Sequence, residues 1–283
     1  MSKVYMNGKL IPERDATISV FDRSYLYGEG VFETIRAYNG RPAFPDMHYH
    51  RLKANCEKLK IELPVDEYAF EHAITKTLNA NKLKDAFVRV TISPVGLSVG
   101  LARPPKMTTN FVLFVKPFKG KPSELYQNGA KLVVVESVYS DGPELAEIKS
   151  TNYLTKIIAR LEVVQKKADE GIFLNRDGFV VEGTASNIFV VKRGIIYTPP
   201  LSDGCLPGIT RFVVMGLAEN LNISCKETSF DLDELKSADE IFLTGSTSEI
   251  LPVKEIVGFV KVSPAPGQLT KRLMKAYKQL IPS

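Results

Sequence analysis

Three parts of the chain carry residue types that could do chemistry together: an amine, a carboxylate and a glycine-led helix start. They are Lys149, Glu182 and the run Leu-Pro-Gly-Ile-Thr-Arg at 206–211. A lysine amine can form an imine with an aldehyde, and an ionised carboxylate can keep a pyridine nitrogen protonated. The N–H groups at the start of a helix can bind a phosphate. Together these parts predict a pyridoxal 5′-phosphate site, and therefore an enzyme.

Each part also has a simpler structural interpretation. Lys149 lies at a predicted loop-to-helix junction, where it could be a helix-cap lysine in water, and Glu182 ends an apolar strand, where it could be a turn glutamate. The start at Gly208 could be an ordinary helix cap. A second small polar turn, 244–249, could close over the same anion or be a plain turn. The chain has no six-residue glycine fingerprint, which argues against nicotinamide and nucleoside triphosphate chemistry.

The histidines and cysteines do not predict a metal site. His48 and His50 lie two positions apart in a predicted helix, so they do not face a shared ion. Arg51 in the same helix is a better candidate ligand, because a guanidinium can bind a phosphate through two hydrogen bonds. The three cysteines are widely spaced, which predicts reduced thiols rather than disulfides.

Composition argues against several classes of function. The 283 residues carry a formal net charge of +5 from scattered lysines and arginines, so no nucleic-acid surface is predicted. No apolar run approaches the roughly 18 residues of a membrane span, and the first residues lack the apolar core of a signal peptide. The sequence therefore predicts a cytoplasmic protein with no membrane partner.

The pattern of elements predicts an α+β fold in two domains. Apolar residues at helical spacing predict helices at 45–59, 66–79, 152–168, 209–221 and 266–280. Short β-rich runs with turn residues predict strands at 4–6, 32–38, 86–93, 110–115, 131–136, 171–174, 179–181, 188–192, 195–198 and 240–244. The pattern breaks into Lys, Pro, Gly and Ser around 117–123. We therefore predict a small N-terminal domain at 1–118, an interdomain loop at 119–128 and a larger cofactor-binding domain at 129–283.

Six segments, in order along nearly the whole chain, resemble the class IV aminotransferases, the fold type IV family of pyridoxal-phosphate enzymes. They are 27–36, 48–52, 148–153, 182–189, 206–211 and 245–252. The family includes branched-chain aminotransferases, D-amino-acid aminotransferases and aminodeoxychorismate lyases, and the motifs are most similar to those of the branched-chain enzymes. The resemblance implies a small N-terminal α/β domain, a larger C-terminal domain with a β-barrel-like core, and a homodimer.

The resemblance also assigns roles to the matching residues. Lys149 corresponds to the Schiff-base lysine, which moves the substrate proton, and Glu182 corresponds to the partner of the pyridine nitrogen. The other cofactor contacts that it implies are Arg51, Tyr153, Leu206, Ile209, Thr210, Ser246 and Thr247. Transamination of this type is ping-pong: an amino acid leaves its amino group on the cofactor, and a keto acid such as 2-oxoglutarate then collects it.

The substrate contacts that the resemblance implies are Tyr27, Phe32, Thr34, Arg36, Arg89, Ala185, Thr247 and Ser248. Tyr27 resembles the residue that one subunit lends to the active site of its neighbour. Phe32, Arg36, Arg89 and Tyr153 match pocket positions of the branched-chain enzymes, and the N–H groups of 245–247 could bind a substrate carboxylate. These matches favour an L-branched-chain amino acid as substrate.

Two departures keep other substrates open. Thr34 stands where branched-chain enzymes usually have a glycine, and the segment 184–186 resembles the D-specific and lyase members more closely. The best-known D-specific enzymes have a tyrosine at the position of Phe32, and an arginine and a histidine in the loop that here is 95–100, where this chain has neither. A D-amino-acid or amine transaminase and an aminodeoxychorismate lyase remain alternatives. A binding homologue without catalysis is a further one, although the retained lysine, glutamate and arginine argue against it.

Overall fold

The computed structural model describes residues 2–96 and 100–282. The chain divides into two compact units. The first comprises Met1–Lys119, Ile148–Tyr153 and Ile281–Ser283, and the second comprises Gly120–Glu147 and Leu154–Leu280. The predicted domain boundaries differ from these units chiefly in the segment that contains Lys149, which belongs to the first unit.

The first unit is built on a six-stranded antiparallel sheet. Its strands are β1 (Lys3–Met6), β2 (Lys9–Pro12), β3 (Val31–Tyr38), β4 (Arg41–Pro42), β5 (Ala86–Val95) and β6 (Thr108–Pro117). The strands lie in the order β2-β1-β6-β5-β3-β4. The helices of this unit are α1 (Arg23–Tyr27), α2 (Pro45–Lys58) and α3 (Glu67–Ala80).

Helices α2 and α3 share one hydrophobic core with this sheet. The apolar residues of α3 recur every four positions, as Phe70, Ile74 and Leu78, so they lie on one face of the helix and are fully buried. The helix begins at Asp66, whose carboxylate accepts from the N–H of Ala69 at 2.8 Å and so caps the first turn. Each large apolar side chain buried in this way contributes about 1.5–3 kcal/mol to folding.

The second unit contains a closed barrel. Its strands are β7 (Ala130–Val134), β8 (Glu170–Leu174), β9 (Val180–Gly183), β10 (Asn187–Lys192), β11 (Ile195–Thr198), β12 (Cys225–Glu227), β13 (Glu240–Gly245), β14 (Glu249–Ile256) and β15 (Val260–Lys261). Six of them pair in the ring β10-β13-β14-β7-β8-β9, which the pair Asn187 and Glu182 closes back onto β10. The barrel-like core that the family resemblance implied is confirmed.

Alternate residues of the barrel strands point into a common core. Ile188 and Val190 of β10 and Ile241 and Leu243 of β13 belong to one buried cluster, as period-two burial requires. The helices of this unit are α4 (Ser123–Asn128), α5 (Pro143–Ala146), α6 (Leu154–Gln165), α7 (Ile209–Asn220), α8 (Leu232–Leu235) and α9 (Gln268–Leu280). Among the described residues, no helix is long and apolar enough to cross a membrane.

The α+β fold class with two units is confirmed, and several elements differ from the sequence prediction. Helix α4 lies inside 119–128, where the sequence predicts a loop, because residues 123–128 form a single short helix after Pro122. Strand β14 and helix α1 have no counterpart among the predicted elements. The helix predicted at 152–168 begins only at Leu154.

Candidate active site

The backbone of Lys149 is held at both of its hydrogen-bonding groups. Its N–H donates to the side-chain oxygen of Asn55 on α2, and its carbonyl oxygen accepts from the N–H of Phe32 on β3 at 2.9 Å. The next residue continues this attachment, since Ser150 pairs with Val31 in an isolated antiparallel bridge. The segment is therefore joined to β3 by backbone bonds, which explains why it belongs to the first unit.

The side chain of Lys149 lies in a group of predicted site residues. Its Nζ is 4.6 Å from the centre of the Phe32 ring and 3.5 Å from the hydroxyl of Tyr153, a long hydrogen bond. The Phe32 and Tyr153 rings meet edge to face with their centres 5.1 Å apart. The guanidinium of Arg89 lies 3.2 Å from the centre of the Phe32 ring, and its Nη1 is 3.5 Å from the Thr34 hydroxyl. The structure thus brings five of the predicted residues together.

Arg89 brings a positive charge to this group. Burial lowers the pKa of its guanidinium to about 10, which still leaves it charged at neutral pH. Within residues 2–96 and 100–282, no carboxylate forms an ion pair with it. A partly buried cation without a carboxylate partner is costly unless an anion completes it, so Arg89 is suited to bind an anionic group of a ligand.

Arg51 is held by a buried carboxylate that it shares with a histidine. Both oxygens of Glu33 accept from the Arg51 guanidinium at 2.7 Å, and the Nδ1 of His48 lies 2.7 Å from the same carboxylate. Burial would raise the pKa of Glu33, but the Arg51 charge and the hydrogen bonds from Arg51 and His48 outweigh it and hold that pKa well below its ordinary value. Burial also lowers the pKa of His48, so the imidazole is neutral at neutral pH and donates its Nδ1–H to Glu33.

Two other predicted residues of the first unit have contacts of their own. The guanidinium of Arg36 lies over the rings of Tyr38 and Phe118, at 4.4 and 5.4 Å from their centres. Tyr27, at the end of α1, has the guanidinium of Arg23 4.8 Å from its ring centre and is 38% exposed. The structure therefore places Arg36 in an aromatic stack and leaves Tyr27 partly open to solvent.

In the second unit, Glu182 and Leu206 are joined directly. One carboxylate oxygen of Glu182 accepts from the N–H of Leu206 at 2.9 Å and faces the side-chain amide of Asn187 at 3.5 Å. That amide also donates to the carbonyl oxygen of Leu206 at 2.8 Å. The other carboxylate oxygen forms an ion pair with Lys156. The end of β9 and the loop that precedes α7 are thereby fixed to each other.

The start of α7 has the properties of an anion-binding helix end. Gly208 is its N-cap and supplies no side-chain cap, so the first N–H groups, those of Ile209 and Thr210, are left for an external acceptor. A Cβ at position 208 would lie 2.0 Å from the side-chain oxygen of Asn187, so only glycine fits there. Arg211 is committed elsewhere, to Glu227 and to the carbonyl oxygen of Pro199.

The turn between β13 and β14 holds the remaining predicted residues, Ser246, Thr247 and Ser248. The N–H of Ser248 donates to the carbonyl oxygen of Gly245 at 3.1 Å and closes the turn. A Cβ at Gly245 would lie 2.9 Å from the Ser248 hydroxyl and 3.3 Å from the carbonyl oxygen of Ala185. The turn that carries Ala185 and the turn that carries Ser248 are therefore neighbours.

Two buried hydroxyls adjoin these turns without a hydrogen-bond partner in the described part of the chain. They are the side chains of Ser186 and Thr244, the latter paired in register with Asn187. Buried hydroxyls are normally satisfied, so an unpartnered pair suggests that a polar ligand completes this region.

Each unit by itself holds groups of a kind that pyridoxal 5′-phosphate requires. The first unit has an amine at Lys149 and a guanidinium at Arg51. The second unit has the Glu182 carboxylate and an uncapped helix start. In the described residues, no group of three or more His, Cys, Asp and Glu side chains could hold a metal ion. Cys205, beside Leu206, is a free thiol whose pKa burial raises to about 12, so it is protonated and poorly nucleophilic.

Five residues described in this region were not predicted as site residues from the sequence: Asn55, Glu33, His48, Lys156 and Asn187. Glu33 gave one signal, because it is the only acidic residue in the largely apolar strand β3. Asn55 and Lys156 lie on helices and could not be distinguished by residue type from surface side chains.

Residues 30–256 match the family described as "Amino-transferase class IV". A "Putative branched-chain-amino-acid aminotransferase" of Methanocaldococcus jannaschii is 37% identical over 98% of this chain and 96% of its own length. An aminodeoxychorismate lyase of Bacillus subtilis is 35% identical over 98% and 94%. A D-alanine aminotransferase of Bacillus licheniformis is 33% identical over 99% and 97%.

The fold agrees with these matches. The crystal structure of the Escherichia coli branched-chain amino acid aminotransferase superimposes with a TM-score of 0.93 and 28% identity, covering 99% of this chain and 94% of the other. The predicted family and fold type are therefore confirmed. The chain belongs to the class IV aminotransferases, a family of pyridoxal-phosphate-dependent enzymes.

Proposed function

We propose that the chain moves an amino group from an L-branched-chain amino acid to 2-oxoglutarate in a ping-pong reaction. The observation that carries this proposal is the group around Phe32, where the Lys149 amine and the Arg89 guanidinium lie over one aromatic ring. An apolar ring suits a hydrocarbon side chain, and the Arg89 charge suits the second carboxylate of a dicarboxylic keto acid.

The proposed cofactor contacts use the donors described above. Lys149 would hold the cofactor through its aldehyde, Arg51 and the helix start at Ile209 and Thr210 would hold its phosphate, and Glu182 would accept from its ring nitrogen. Further proposed contacts come from Tyr153, Leu206, Ser246 and Thr247. When bound, pyridoxal phosphate supplies an electron-withdrawing ring that stabilises negative charge at the substrate Cα.

The chain's own groups then handle the proton. The Nζ of Lys149 takes the proton from the substrate Cα and returns it as general acid, and the Tyr153 hydroxyl at 3.5 Å orients that amine. Glu182 would keep a proton on the ring nitrogen through its negative charge, and the N–H of Leu206 fixes the orientation of this buried carboxylate. A second substrate uses the same groups in reverse, which is why a ping-pong pattern is proposed.

Three parallel substrate assays test this function. The purified protein is offered L-leucine, D-alanine and aminodeoxychorismate, each at several concentrations, and the product is followed in each assay. We expect keto acid to form fastest from L-leucine with 2-oxoglutarate, with parallel lines in double-reciprocal plots. Faster keto-acid formation from D-alanine, or pyruvate release from aminodeoxychorismate, would reverse the ranking.

Two other activities remain candidates because specific observations favour them. The Thr34 hydroxyl lies 3.5 Å from the Arg89 guanidinium, and a polar group there suits the lyase. Ala185 lies exposed in the turn 184–186, which resembles D-specific and lyase members. The 35% identical aminodeoxychorismate lyase is consistent with the first activity, and the 33% identical D-alanine aminotransferase is consistent with a D-amino-acid transaminase.

Replacing Arg89 by methionine should separate the two substrates. We expect kcat/KM for 2-oxoglutarate to fall by roughly ten- to a hundredfold, since a charge-assisted hydrogen bond contributes about 1.5–3 kcal/mol. The L-leucine half-reaction should change much less, because this substrate has no second carboxylate. Stopped-flow single turnovers of each half-reaction measure both values. Arg41→Met, an exposed arginine of the same unit, is the matched control, and an equal loss in both half-reactions would contradict the role of Arg89.

We further propose that Arg36 and Ser248 contact the substrate within each chain. We also propose that the protein is a homodimer in which Tyr27 reaches the active site of the neighbouring subunit. The segment before and within α1 exposes an unusual number of large apolar side chains, namely Ile18, Val20, Phe21, Tyr25, Leu26 and Tyr27. Such a patch is typical of a protein interface. Light scattering should give twice the 31.4 kDa chain mass, and a monomer that is fully active would contradict the proposal.

A further inference from the structure

A second lysine lies against the carboxylate that the proposed function assigns to the cofactor ring. Lys156, in the first turn of α6, forms an ion pair with Glu182, and its Nζ is also 4.7 Å from the centre of the Phe173 ring. The Lys156 side chain is 18% exposed and that of Glu182 is 6% exposed. The pair is therefore largely shielded from water. Two charges in such a shielded place act on each other more strongly than they do at the surface.

The ion pair limits the hydrogen bonds that the Glu182 carboxylate can accept from another group. One of its oxygens is used by the N–H of Leu206, and the other by Lys156. A carboxylate oxygen has two lone pairs, so the oxygen that faces Lys156 can still accept a second donor. A protonated ring nitrogen that binds Glu182 must then share this carboxylate with an ammonium.

Stability does not explain why a lysine stands at this position. A buried ion pair generally contributes no more to folding than a well-packed apolar pair of the same size. An apolar side chain on α6 could pack on Phe173 equally well. An effect on the charge of Glu182 is therefore the more direct account of Lys156.

We propose that Lys156 is a positioning residue that shares Glu182 with the cofactor ring nitrogen and so weakens the hold of that nitrogen on its proton. This inference rests on the proposed function, in which Glu182 faces the ring nitrogen. Two positive groups at one carboxylate repel each other, so the Lys156 ammonium opposes a second positive charge on the ring. The ring consequently withdraws electrons less strongly than it would beside Glu182 alone.

The test measures the ring proton directly rather than the reaction rate. The protein is loaded with pyridoxal phosphate labelled with ¹⁵N in the ring, and the ring nitrogen shift is followed by NMR as pH is varied. The set of chains is the wild type, Lys156→Met, Lys156→Arg and the control Lys166→Met. Lys166 lies just after α6 and pairs with Glu136 and Glu162, so its loss removes an ammonium without touching Glu182.

We expect Lys156→Met to bind the ring proton about tenfold more tightly, which moves the titration midpoint up by about one pH unit. Lys156→Arg keeps the charge and should titrate like the wild type, as should Lys166→Met. A midpoint in Lys156→Met equal to that of the wild type would overturn the proposal, and so would a large shift in Lys156→Arg.

Failure of this proposal is distinguishable from failure of the proposed function. A wild-type protein that keeps no visible absorbance after added pyridoxal phosphate has been removed by dialysis overturns both. A wild-type protein that binds the cofactor, with a midpoint that does not respond to Lys156, overturns only the role of Lys156. If Lys156→Met does not fold, Lys156→Gln replaces it, since glutamine keeps a donor for Glu182 without the charge, and the same shift is expected.

Discussion

Replacing Lys149 by alanine should reduce turnover by at least about a thousandfold and remove the part of the visible absorbance that comes from covalent attachment of the cofactor. The reason is that one amine both attaches to the cofactor and moves the substrate proton in the proposed function, and general acid–base catalysis alone contributes about 10²–10⁴-fold. Folding should be nearly unaffected. The segment is held through the backbone N–H and carbonyl oxygen of Lys149, which alanine retains.

Three measurements on the same preparation check this expectation: the visible spectrum, single-turnover kinetics with L-leucine, and urea unfolding. Lys53→Ala is the matched control, because Lys53 is an exposed lysine on α2 of the same unit. Full activity in Lys149→Ala would refute the assignment. Loss of activity together with loss of folding would also contradict the backbone anchoring described for this segment.

Much of the fold follows from periodicity, but strand β14 shows the limit. Its residues include Pro252, which cannot donate a ladder hydrogen bond, and it follows directly on the polar turn that ends in Ser248. Local preference therefore indicates a turn and a break, although β14 pairs with β13 and β7 in the barrel. Tertiary pairing outweighs local preference here.

The pattern of apolar and polar residues likewise does not predict that the barrel closes. It depends on a single pair, Asn187 with Glu182, and nothing in two short apolar runs indicates that they end one ring. The expectation of a barrel came from the family resemblance instead. Helix α1 has only five residues, too few to show a helical period, although Asp22 caps it by accepting from the N–H of Ser24 at 2.9 Å.

For the site, sequence supplied residue types and order but not the contacts that position them. The pairing of Lys149 with Asn55 spans 94 positions, and that of Arg51 with Glu33 spans 18. Contacts of this kind depend on how α2 lies on β3, which no spacing rule gives. The loop 95–100 was expected to affect substrate choice, and its positions 97–99 lie outside the described residues.

Glu33→Gln should be the most destabilising conservative change in the first unit, by about 3–5 kcal/mol of unfolding free energy. Glutamine fits the same space, but it removes the negative charge that pairs with Arg51. It also leaves one oxygen where the carboxylate offers two to Arg51 and His48. The Arg51 side chain is only 9% exposed, and the substitution removes the buried carboxylate that receives two of its hydrogen bonds. Urea unfolding at neutral pH measures the loss, and Glu57→Gln on the exposed side of α2 is the control.

The free energy of unfolding should also depend on pH through the titration of the Glu33 carboxylate. The folded pKa of Glu33 lies well below its ordinary value, so its contribution is present above about pH 4.5 and is lost as pH falls toward the folded pKa. The pKa of His48 is also lowered in the fold, so acidification below about pH 6.5 favours the unfolded chain as well. In Glu33→Gln the loss below about pH 4.5 should be smaller than in the wild type, while the step near pH 6.5 should remain. Identical slopes below pH 4.5 in both chains would contradict the assignment.

A cofactor measurement separates the effect of Glu33 on Arg51 from its effect on folding. If Glu33 acts by orienting the guanidinium toward a phosphate, Glu33→Gln should weaken binding of pyridoxal phosphate by at least about tenfold. Binding of pyridoxal, which has no phosphate, should be almost unchanged, because Lys149 is held by Asn55 and Phe32 and not by Glu33. An equal loss for both ligands would mean that the substitution disturbs the whole unit, and the role of Glu33 in phosphate binding would be wrong.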